Sequence, residues 1–118
     1  MAFASPGWLA LLTGVALAAA PVGAQAAGRP RAVPAAAVRT VTIQQMRFGP
    51  VPAPLRVGQT VEWVNDDIFV HSATARDHSF DITLKPNARA RMRLTRAGVI
   101  AFYCRFHPGM TGTLVVGR

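Results

Sequence analysis

Cys104, His107 and Met110 bring a thiol, an imidazole and a thioether into seven consecutive positions, inside the stretch YCRFHPGM near the C-terminus. Cys104 is the single cysteine of a 118-residue chain. Such a set can bind a soft or borderline metal, can form a cysteine–histidine nucleophile pair, or can simply be packing. A nucleophile pair needs an orienting partner and an oxyanion donor, and a three-residue offset at the end of a strand offers neither. Metal binding is the stronger reading. A second histidine, His71, supports it, because it follows the turn region VNDDIF much as His107 follows the apolar run before it.

Two imidazoles and one thiolate in a trigonal plane, with a weak axial thioether, make up the donor set of a blue copper site. Thiolate and thioether suit Cu(I), and imidazole accommodates both oxidation states. A nearly trigonal site therefore lets an electron come and go with little rearrangement. The sulfur of Met110 makes zinc less apt, since zinc favours Cys, His and carboxylate. The expected ligands are His71, Cys104, His107 and Met110, holding one copper.

The elements that must position these donors read as strands. RTVTIQQM sets Val41 and Ile43 against Thr40, Thr42 and Gln44; QTVEWVN sets Val61 and Trp63 against Thr60, Glu62 and Val64; ARARMRLT sets Ala90, Met92 and Leu94 against Arg89, Arg91 and Arg93. GVIAFYC is apolar on both faces, as for a central strand between two sheets, and GTLVVG closes the chain. Gly, Pro, Asn and Asp clusters separate the runs, and no segment sustains a 3.6-residue period. The pattern predicts an all-β sandwich or barrel. Cys104 then ends one strand, and HPGM is the tight loop into the last. Met46, Trp63 and Met92 read as core, and His78 as a solvated loop residue.

The N-terminal part reads differently. WLALLTGVALAAA is an apolar run too short to span a bilayer comfortably, and an A-x-A pattern ending at Ala26 follows it. Residues 1–26 are expected to be a signal peptide and residues 27–37 a flexible leader, leaving a domain over 38–118. Unlike a usual secretory signal, no Lys or Arg precedes the apolar run. All thirteen basic and all five acidic residues lie beyond it, so the mature part carries the whole formal charge of +8. Export and the lack of basic runs interleaved with aromatics argue against nucleic acid as the partner. A lone thiol in an oxidising compartment is a liability that a bound metal removes.

FYCRFHPGMTGTLVV and WVNDDIFVHSATARDHSFD resemble the two ligand regions of the cupredoxins, the plastocyanin, pseudoazurin and amicyanin group. The C-x-x-H-x-x-M spacing is most like that of amicyanin, and the resemblance covers Val38 to Arg118. It implies a Greek-key β-sandwich with His71, Cys104 and His107 as strong ligands and Met110 as the axial one. It also implies one-electron transfer between larger redox proteins, with the edge of His107 emerging through an apolar patch framed by Phe106, Pro108 and Gly109. Where many relatives have Pro before the upstream His and Asn or Thr after it, this chain has Val70 and Ser72. Arg105 sets a positive charge beside Cys104, which is expected to favour the thiolate and Cu(I) if the charge is close and poorly screened.

The resulting expectation is a monomeric, periplasmic carrier of single electrons rather than an enzyme, with no integral membrane span in its mature form. Its partner is expected to be an acidic redox protein, such as a cytochrome or a dehydrogenase. Copper storage or delivery is the alternative. Arg89, Arg91 and Arg93 read as a solvated strand face or, less simply, as a docking surface.

Overall fold

The computed structural model describes residues 36–118 without interruption, together with residues 3, 4, 7, 14–16, 18, 19, 23, 28 and 34. The expected signal peptide (1–26) and leader (27–37) thus lie for the most part outside the described residues. Arg31–Arg118 forms one compact unit.

Nine strands carry it: β1 Val38–Gln44, β2 Arg47–Phe48, β3 Leu55–Arg56, β4 Thr60–Asn65, β5 His71–Ala75, β6 Asp81–Leu84, β7 Arg89–Arg93, β8 Gly98–Tyr103 and β9 Thr111–Gly117. They form two sheets, ordered β2-β1-β4-β7 and β3-β9-β8-β5-β6. The β1–β4 and β3–β9 pairs are parallel and the others antiparallel. The chain crosses between sheets after β2, β3, β4, β6 and β7, so strands distant in sequence meet. This is the expected all-β sandwich.

Strand alternation decides which side chains meet in the middle. In the first sheet Val41, Trp63 and Ala90 stand in one register row, with Val41 and Trp63 fully buried. The second sheet answers with Ile100, Phe102 and Leu114. Trp63 packs edge-on against Phe102 at 5.0 Å between ring centroids and against Phe48 at 6.1 Å, with Phe80 at 5.9 Å. Its Nε1–H is buried without a hydrogen-bond partner, so its contribution is packing alone. Met46 and Met92 are partly buried against this core, as expected.

One expectation changes, and one strand is new. The run GVIAFYC is not apolar on both sides for the reason supposed. β8 is central within its own sheet, but its outer face is open, and Val99 is 71% exposed opposite the likewise outward Val115. Conversely HSATA, which lacks large apolar residues, is a strand buried at every position. It lies between β8 and β6.

Candidate metal centre

His71 opens β5, Cys104 directly follows β8, and His107 and Met110 lie in the loop before β9. β5 and β8 are antiparallel neighbours, with Thr74 opposite Tyr103, so their pairing brings His71 to the Cys104 end of the sheet. The loop is held by its own backbone: the Cys104 N–H donates to the Met110 carbonyl at 3.0 Å, and the Met110 N–H to the His107 carbonyl at 2.8 Å. Both ends of the donor set are therefore anchored in strands.

The donors converge. Cys104 Sγ lies 3.8 Å from His71 Nδ1 and 3.8 Å from His107 Nδ1, and the three donor atoms all fall within 4.8 Å of one another. Imidazole and thiolate bonds to a metal of about 2.0–2.3 Å, opened to a trigonal angle, set nitrogen and sulfur roughly 3.8 Å apart. The donor set thus fits one ion. Cys104 and His71 are fully buried, Met110 is 6% exposed, and His107 is half-buried.

Hydrogen bonds orient the donors. Asp67 Oδ2 lies 2.9 Å from His71 Nε2 and also accepts the Met46 N–H at 3.0 Å, while its Oδ1 accepts the Ile68 N–H at 2.8 Å. The Met46 N–H first, and the His71 ring next, hold the Asp67 carboxyl below its usual range. A carboxylate only accepts, so it fixes the proton on Nε2 and leaves the Nδ1 lone pair facing Cys104. The Ser72 N–H donates to Cys104 Sγ at 3.3 Å, which holds the sulfur in place.

The loop before His71 is built around Asn65, which is fully buried. Its amide donates to the carbonyls of Phe69 (2.8 Å) and Leu84 (3.0 Å), and its Oδ1 accepts the Asp67 N–H (3.0 Å). Asn65 thereby aims Asp67 at His71. Neither residue emerged from the sequence, although Asp67 stands four positions before His71 in the motif already singled out.

The apolar frame of His107 is wider than expected. Phe106, Pro108 and Gly109 are exposed as anticipated, and so are Ile68 (80%), Phe69 and Val70 from the opposite loop. The Phe69 ring stands 6.2 Å from that of His107. The expectation for Arg105 is corrected. Its guanidinium is not a free charge, because Nε donates to Asp81 Oδ1 at 2.8 Å and Nη2 to Thr83 Oγ1 at 2.7 Å. His78, in an exposed turn with φ of 65°, stays outside the donor cluster.

No protein-family model matches the sequence, and no curated protein is significantly similar to it. Solved structures are similar. A purple cupredoxin from Nitrosopumilus maritimus is 26% identical, covers 66% of this chain and 98% of its own, and has a TM-score of 0.60. Amicyanin from Paracoccus versutus is 26% identical over 72% of this chain and 85% of its own, with a TM-score of 0.59. A copper-containing nitrite reductase from Thermus scotoductus is 28% identical over 79% of this chain but 25% of the enzyme, again with a TM-score of 0.59. The sandwich and its donor cluster define the class: the chain has a cupredoxin fold. Within that fold, His71, Cys104, His107 and Met110 stand positioned as a type 1 copper site.

Proposed function

We propose that this protein carries single electrons, with His71, Cys104, His107 and Met110 holding one copper. The observation that carries the reading is the convergence of two imidazole nitrogens on one buried sulfur at 3.8 Å each, from three anchored segments. Copper would supply the one-electron couple. The residues supply the rest: Asp67 keeps the His71 lone pair inward, the Ser72 N–H holds the sulfur of Cys104, and the surrounding core excludes water. His107 is the donor whose ring reaches the surface. A redox partner seated on Ile68, Phe69, Phe106 and Pro108 would lie against it.

Burial of Cys104 and His71 favours a retained ion over one handed on, so delivery is the weaker reading. Among the described residues no helix is long and apolar enough to cross a membrane. We propose export to the periplasm after removal of residues 1–26, function as a monomer, and an acidic cytochrome or dehydrogenase as partner. The charge of +8 supports that partner.

The deciding experiment adds Cu(II) to residues 27–118 and to the same chain carrying Cys104→Ser, and records visible absorption and EPR spectra. An intense blue band with narrow copper hyperfine splitting, lost in the variant, is expected. A colourless protein, or a square-planar spectrum indifferent to the substitution, would overturn the carrier reading.

A further inference from the structure

The hydroxyl of Ser72 ties the His71 strand to the Cys104 loop, and a single hydroxyl needs a partner of its own to be held. The structure shows what completes it. The Arg105 N–H donates to Ser72 Oγ at 2.8 Å, Ser72 Oγ lies 2.9 Å from Thr74 Oγ1, and Thr74 Oγ1 donates to Asp81 Oδ1 at 2.8 Å. Arg105 then returns through its own side chain, with Nε donating to the same Asp81 oxygen at 2.8 Å. The contacts form a closed ring that begins and ends on the residue after Cys104.

The direction of every proton in the ring follows from its end. Asp81, held ionised by the Thr74 hydroxyl first and by Arg105 as well, can only accept. Thr74 must spend its one proton on Asp81, so its oxygen must accept from Ser72. Ser72 then has its lone pairs free to receive the Arg105 N–H. Each hydroxyl donates once and accepts once, and the chain runs one way from backbone amide to carboxylate. Such chains polarise one another. Ser72 and Thr74 lie on the outward side of β5 yet are buried. The hydroxyls are thus shut away from water that could substitute for the bonds.

We propose that Thr74 and Asp81 are positioning residues for the thiolate. They fix the Ser72 hydroxyl, which fixes the Arg105 amide and so the backbone at Cys104, while the Ser72 N–H holds Sγ. Neither Thr74 nor Asp81 touches a donor atom; both act through Ser72 and Arg105. The inference rests on the copper reading only for its spectroscopic arm, because the ring is made entirely of the chain's own groups.

The test uses Thr74→Val, Asp81→Asn and the double variant of residues 27–118, read two ways. In the copper-free proteins, amide hydrogen exchange at Arg105 is compared with exchange at Val61 and Trp63 in the core. Loss of one hydrogen bond is expected to speed Arg105 exchange by roughly threefold to tenfold while the core amides keep their rates. In the double variant the effects are expected to fall short of the product of the single ones, since both residues act in one chain. In the copper-loaded proteins, Thr74→Val is expected to shift the thiolate absorption band. Unchanged Arg105 exchange in both single variants would overturn the proposal, even with a blue wild-type protein. So would a uniform speeding of all amides. A wild-type protein that never turns blue would overturn the copper reading while leaving the exchange result to decide this one. Asp81 is on the surface, so its variant serves if Thr74→Val fails to fold.

Discussion

At the scale of single residues, the site depends on groups that hold the donors as much as on the donors. Asp67 decides which nitrogen of His71 carries the proton, and Asn65 decides where Asp67 points. Replacing Asp67 by Asn removes the obligate acceptor, so the ring can turn or change tautomer. Outer hydrogen-bond partners of metal-bound histidines contribute about 10–100-fold to affinity. Asp67→Asn is accordingly expected to weaken Cu(II) binding by about that factor, measured by competition with a chelator of known affinity. An unchanged affinity would mean that packing alone orients His71. The four donors could be read from their types and spacing, since ligand chemistry is a property of side chains. Asp67 and Asn65 could not, because a polar residue in a turn-rich loop is ordinary until its neighbours are known.

At the scale of strands, two pairings make distinct demands. Phe102 on β8 stands opposite Gly112 on β9, and its ring covers the glycine so closely that a Cβ there would come within 2.2 Å of the ring. Gly112→Ala is expected to destabilise the fold by about 1–3 kcal/mol, the usual cost of overpacking, seen as a lower midpoint in urea. A neutral result would show that Phe102 has room to turn. On the other sheet Glu62 of β4 accepts from Arg91 at 2.6 Å and Arg89 at 3.3 Å on β7. The hydrogen bond from Arg91 is the first cause that holds its carboxyl below the ordinary value of 4.5, so the ionised form is favoured in the fold. The stabilisation is thus present above the unfolded value and is lost as pH falls through the lower folded one. Thermal unfolding of wild type and Glu62→Gln is expected to differ at neutral pH and to converge in acid below that range. A gap that persists there would mean that Glu62 acts by packing. The arginine face is therefore partly a strand pairing device, which alternation in the sequence could suggest but not partner.

At the scale of the whole molecule, charge is distributed unevenly. Four of the five acidic residues are engaged locally: Glu62 with Arg89 and Arg91, Asp67 with His71, Asp77 with Arg96, and Asp81 with Arg105. Among the described residues the other basic side chains form no ion pair, so the excess charge is left unpaired. Electron exchange with the anionic reagent hexacyanoferrate is expected to slow as salt is added, and exchange with a cationic cobalt complex to quicken. Stopped-flow rates across an ionic-strength series check this, and equal slopes for the two reagents would remove the electrostatic account of docking.

The sequence by itself determined the strands with strong alternation, the donor types and their spacing, and the excess of charge. Each of these is set by residue identity and local period, which a chain carries before it folds. Only the tertiary structure decided that the weakly patterned HSATA is a buried strand, that Val99 faces outward, and that Arg105 is paired with Asp81. It also decided that Asp67 reaches His71 and that two hydroxyls complete a ring behind Ser72. These depend on which segments become neighbours across the sheets. That choice is made by the packing of the whole sandwich and not by any one stretch of it.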